Sequence, residues 1–97
     1  MGTKSIVTDH DNICAICGRP AECEHHLIFG TAGRELSEKD GLKIPMCNGC
    51  HNMNEKLRRI HDNPMAEKLS KMLGQAIYES KIGTREEFQE RYGRSYL

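Results

Sequence analysis

The sequence predicts a small α+β domain: a strand-loop-strand-helix core, zinc-stapled, followed by two C-terminal helices. Three observations carry that expectation. Four of the five cysteines fall in two Cys-x-x-Cys pairs, Cys14/Cys17 and Cys47/Cys50, with 29 residues between them, and paired thiolates at this spacing suit a closed tetrahedral zinc site. Short runs of strand-forming residues next to glycine lie just after the first pair and just before the second. Beyond residue 63, apolar residues recur at helical spacing behind an Asn-Pro start, and a capping box follows further on.

Composition explains why a staple is expected. The chain has 97 residues, 37% hydrophobic content, 5% aromatics and no Trp, so one domain forms and its core is marginal without help. Structural zinc contributes roughly 10 kcal/mol or more to folding in comparable modules. Disulfides are the other use for cysteines. An odd count, the short spacings and an opening Met1-Gly2-Thr3-Lys4 without an apolar signal run favour a reduced, cytoplasmic, metal-binding chain. Cys23 is then a spare thiol, read as a small buried residue. No run approaches the roughly 18 apolar residues of a membrane span, so a soluble protein is expected. Lys+Arg and Asp+Glu both count 14, which leaves no global field for a polyanion. The charges are uneven, however: residues 1–30 carry two basic and four acidic groups, residues 31–97 twelve and ten.

In chain order, residues 1–12 are polar and read as a solvated arm, with His10 a weak ligand candidate. Cys14 to Pro20 form a zinc knuckle in which Gly18 permits the tight turn. Cys23 to Phe29 suit a first strand, Gly30 to Gly33 a loop, and Leu42 to Met46 a second strand with Pro45 at an edge or near its end. A helix follows Cys50, with His51 near its start and Met53, Leu57 and Ile60 facing inward. The core therefore spans 13–62 and a helical extension 63–97. In that extension Met65, Leu69, Met72, Leu73, Ala76 and Ile77 form a packing stripe of about four turns behind Asn63-Pro64. Thr84-Arg85-Glu86-Glu87 caps the last helix, which carries Phe88 and Tyr92 on one face and ends at Gly93.

The histidines carry the chemistry. His25 and His26 are adjacent in the first strand and point to opposite faces, while His51 follows the second knuckle directly. A divalent ion with a neutral imidazole beside it is what phosphodiester hydrolysis requires. The order Cys-x-x-Cys, His25-His26, Cys47-x-x-Cys50-His51 resembles the HNH endonucleases, a branch of the ββα-metal (His-Me finger) nucleases, in zinc-stapled form. His25 to Gly30, Arg34 to Lys39, Gly41-Leu42, Ile60-His61, Gly74-Gln75 and the closing Phe88 to Leu97 look like the small phage and prophage type.

That resemblance, over about residues 13–97, implies a DNA endonuclease in a bacterial host cell. Cys14, Cys17, Cys47 and Cys50 would hold structural zinc. His25 and His51 would ligate a catalytic divalent ion, Mg²⁺ or another such as Mn²⁺ or Ni²⁺, with His61 as an extra ligand or phosphate contact, and His26 would be the general base. Double-stranded DNA is the implied partner, met by Arg34, Lys56, Arg58 and Arg59, with phage packaging proteins as conceivable partners and a monomer or dimer as the assembly. One letter departs from the pattern: the family's loop Asn is missing, because residues 27–46 contain no asparagine. Asp40 or a backbone carbonyl could brace the base in its stead. Glu22 and Glu24 read as solvated neighbours of the doublet. The rival function is a non-catalytic zinc module that binds DNA or a phage protein. Zinc deaminase chemistry is excluded, because no histidine is followed two residues later by glutamate.

Overall fold

The computed structural model describes residues 4–53 and 60–97. Two short strands, β1 (Cys23–His26) and β2 (Lys43–Met46), pair antiparallel with His25 opposite Ile44 and His26 opposite Lys43. Between them lies a helix, α1 (Thr31–Asp40), where a loop is expected from the two glycines. Glycine inside a helix costs about 1 kcal/mol relative to alanine, and packing overrides that penalty here. A Cβ on Gly33 would sit 3.0 Å from the Ile28 carbonyl oxygen, so the helix approaches the strand end more closely than a side chain fits without a shift of its neighbours. Ser37, fully buried on α1, donates to Ile28 O at 2.7 Å and accepts from Ile28 N at 3.2 Å. The backbone leaving β1 is therefore satisfied by a side chain where the ladder stops.

After β2 the chain makes a π-helical turn at Gly49–Met53 and a 3-10 turn at Ile60–Asp62. The helix expected after Cys50 falls partly outside the described residues, as does Leu57. The long helix α2 (Pro64–Lys81) begins as anticipated, with the Asn63 side chain accepting from the N–H groups of Met65 and Ala66. It runs 18 residues, longer than the four turns expected. Its buried face coincides with the apolar stripe only at Ile77, which is half-buried against the core. Ser70, Gly74, Gln75 and Tyr78 face the core, while Met65, Leu69 and Leu73 are exposed. The stripe is corrected accordingly: the core needed a close approach and hydrogen-bonding groups on this face more than bulk.

Gly74 supplies the close approach. A Cβ there would lie 2.6 Å from Ile28 Cδ1 and 3.1 Å from Leu27 Cβ, so the side chain of Ile28 is gripped between α1 and α2. Gly74→Ala should therefore destabilise the domain: overpacking costs about 1–3 kcal/mol, against a helix-propensity gain of about 1 kcal/mol. A lower denaturant midpoint at unchanged m-value is the expected reading, and a raised midpoint would mean that Ile28 yields.

The last helix, α3 (Arg85–Tyr92), has the capping box foreseen, with Thr84 and Glu87 bonded reciprocally. Phe88 is fully buried and stacks on Tyr92, their ring centroids 4.6 Å apart. The tail packs back, with Tyr96 N–H donating to the buried Gln75 amide oxygen. The segment expected as a free arm is also tied down: Ser5 donates to Lys43 O at 2.6 Å and Ile6 N–H to Gly41 O at 2.9 Å. Among the described residues no helix is long and apolar enough to cross a membrane.

Candidate metal centre

The first knuckle is a tight turn. Gly18 N–H donates to Cys14 O at 3.0 Å with Gly18 at φ 78, and Ala15 N–H docks the turn on Pro45 O at 2.8 Å. This docking brings the four predicted thiols together, one sulfur from each of Cys14, Cys17, Cys47 and Cys50 lying within 4.8 Å of the others. Cys17 and Cys47 Sγ are 3.6 Å apart, near the edge of about 3.8 Å that a tetrahedron with metal–sulfur bonds of about 2.3 Å requires. Main-chain N–H groups of Ile16 and Cys50 point at the sulfurs of Cys14 and Cys47. Against the upward push of its burial, backbone hydrogen bonds bring the Cys14 thiol down to about 6. Burial and the neighbouring thiols push Cys50 up to about 12. Clustered thiols resist joint ionisation unless a cation sits among them, and this donor set fits a metal such as zinc. Cys23 lies outside the cluster, its thiol on Met46 O at 3.4 Å.

A second cluster stands beside the first. One ring nitrogen each from His25, His51 and His61 lies within 4.8 Å of the others, and the three could hold a metal ion. His51 comes from the π-helical turn directly after Cys50, His61 from the 3-10 turn, and their Nε2 atoms are 2.8 Å apart. His25 is fully buried, and its environment fixes its tautomer. Ser70 on α2 spends its proton on Leu27 O at 2.8 Å, so its oxygen must accept from His25 Nε2–H, also at 2.8 Å. Nδ1 then carries the lone pair, and it is buried with no hydrogen-bond partner. An orphaned imidazole nitrogen on a ring packed edge-on against two further histidines fits a cation ligand. Burial, with the nearby histidines adding to it, brings His25 down to about 3, and burial also lowers His51 and His61.

Second-sphere hydrogen bonds of this kind are worth 10–100-fold in metal affinity. Ser70→Ala is expected to weaken ion binding at the histidines by about that factor while leaving the thiol cluster loaded. Calorimetric titration with Ni²⁺ reads this directly, and unchanged affinity would remove Ser70 from the site.

His26 points the other way along the strand, toward α1. Glu38 Oε1 lies 2.8 Å from His26 Nε2, and Glu38 Oε2 accepts from Lys43 Nζ at 2.8 Å. Hydrogen bonds from Lys43 and then His26 hold the Glu38 carboxyl down to about 2. An ionised carboxylate can only accept, so His26 donates through Nε2–H, and in the neutral ring the lone pair is on Nδ1. Lys43 is almost fully buried. Desolvation would lower it, yet the carboxylates of Glu38 and Glu24 outweigh that and raise it. His26, His51, His61 and Arg34 share a small concavity of about 110 Å³ with Glu24 and Phe29.

No family model, curated protein or solved structure matches the chain. Of the residues anticipated from sequence, the four cysteines converge, His25, His51 and His61 converge, and Arg34 lines the concavity beside His26. Lys56, Arg58 and Arg59 lie outside the described residues. Asp40 does not brace the histidine. It accepts two hydrogen bonds from Arg91, at 2.7 and 2.8 Å, and one from Tyr92 OH at 2.8 Å, tying α1 to α3. His10 joins no metal cluster among the described residues. Glu22 accepts from Asn48 N–H and Glu24 from Lys43. Sequence reasoning missed Glu38, Lys43 and Ser70. Glu38 was findable, since it follows Arg34 by four residues and shares its helical face once residues 31–40 are read as a helix.

Proposed function

We propose that the protein is a metal-dependent endonuclease that hydrolyses phosphodiester bonds in DNA, with zinc at the four cysteines and a second divalent ion at the three histidines. The observation that carries this reading is the meeting of His26, held by Glu38, with His51, His61 and Arg34 in one concavity. A divalent ion there would polarise the scissile phosphate and stabilise the leaving oxygen. His26 Nδ1 takes the proton from the attacking water, while the Glu38 carboxylate holds the ring in the tautomer that leaves this nitrogen basic and faces the imidazolium as it forms. Lys43 keeps Glu38 ionised and fixed. Arg34, exposed on α1 at the rim, offers a guanidinium for a phosphate oxygen. Glu38 thus supplies the brace that the missing loop asparagine leaves open.

The test is plasmid nicking with Mg²⁺, Mn²⁺ or Ni²⁺. Wild type should nick with at least one of these ions and His26→Ala should not. Undiminished nicking by His26→Ala would sink the proposed base, and no cleavage of plasmid or of a single-stranded oligodeoxynucleotide with any ion would sink the activity.

A further inference from the structure

A groove opens on the far side of His61, a cavity of about 690 Å³ walled by Lys68, Lys71, Arg94 and Tyr96 among others. It adjoins the concavity at His26: His61 lines both, and Lys71, in the groove wall, sits over the Phe29 ring of the concavity at 4.8 Å. Three cationic side chains face two carboxylate side chains, Asp62 and Glu67. Both act on His61, placing them at the metal end, and Glu67 also pairs with Lys71 at 3.6 Å. Arg94 and Lys71 lie over the Tyr96 ring at 5.2 and 5.6 Å, and with Arg94 exposed they make a cation-on-aromatic platform against which a base can stack. In a duplex both faces of each base are covered by its neighbours, so only an unpaired base can use such a platform. The volume lies within the range of small-ligand sites, about 300–1,000 Å³.

We infer that this groove seats an unpaired nucleotide of the substrate strand beside the scissile phosphate, its phosphate held by Lys68 and Arg94 and its base against the Arg94–Tyr96 platform. The inference rests on the nuclease reading and narrows its substrate to single-stranded, forked or locally melted DNA.

Binding tests it without cleavage. On the His26→Ala background, anisotropy of a short fluorescein-labelled oligodeoxynucleotide should show the single strand bound about tenfold more tightly than its duplex, the scale of one base-stacking contact. Arg94→Glu and the exposed Lys68→Glu should each weaken single-strand binding by about tenfold. Tyr96→Ala should do the same, with circular dichroism as its folding control. Duplex binding as tight as single-strand binding, or indifference to Arg94→Glu and Lys68→Glu, overturns the groove. Single-strand binding that is lost in Arg94→Glu, while wild type with every ion cuts neither plasmid nor the single-stranded oligodeoxynucleotide, upholds the groove and overturns the nuclease reading.

Discussion

Cys47→Ser is expected to leave the chain unfolded. The four thiols join a knuckle at Cys14 and Cys17 to the turn after β2, and among the described residues no long stretch of secondary structure makes that connection. The core they complete is small, with Leu27, Ile28, Leu42, Ile44, Met46 and Phe88 as its largest aliphatic and Phe members. Domains of this size are stable by about 5–15 kcal/mol, and a structural zinc site contributes about 10–16 kcal/mol. Removing one ligand therefore takes away an amount comparable to the whole stability. Far-UV circular dichroism of Cys47→Ser should match wild type treated with a strong chelator, and neither should melt cooperatively. Cys23→Ser is the control: that thiol lies outside the cluster, half-buried against the core with a weak hydrogen bond to Met46 O, and the variant should melt within a few degrees of wild type. A cooperative, wild-type-like melt of Cys47→Ser would show that the cluster is not structural.

The second large effect falls on rate. His26→Ala should lower kcat for nicking by about 10²–10⁴-fold, the usual contribution of a positioned general base. Glu38→Gln should approach that loss with the fold intact. A glutamine amide nitrogen turned toward the ring would hold the opposite tautomer and move the lone pair to Nε2, an error that costs about 10⁴-fold in the serine protease triad. Because Glu38 touches His26 and Lys43 and no substrate, KM should stay nearly constant while kcat falls. A Glu38→Gln variant at full kcat, or one affected only in KM, would remove the carboxylate from the mechanism.

Much of this was legible in the sequence because local chemistry decides it. Cys-x-x-Cys pairs converge through knuckle turns set by a few residues, and the Asn63-Pro64 start and the Thr84–Glu87 capping box are reciprocal bonds within one turn. Where tertiary packing decided, the reading failed. Gly30 and Gly33 signal a loop, yet Gly33 lies inside α1 because Ile28 needs the room. The same pressure reversed α2, whose core face is Ser70, Gly74, Gln75 and Tyr78 while Leu69 and Leu73 stay exposed. Glu38 and Ser70 were hidden for the same reason, since each meets its histidine only through a helix whose placement long-range contacts determine.

The grip on Ile28 reaches beyond stability. Gly33 on one side and Gly74 on the other present helix surface with no side chain to swing aside, and Ser37 holds both backbone groups of Ile28. The strand end that carries His25 and His26 is therefore preorganised: the imidazoles are aimed before any ligand arrives. The entropic cost of assembling the site is met when the chain folds, so a ligand's binding energy goes to holding the ligand rather than to ordering the protein.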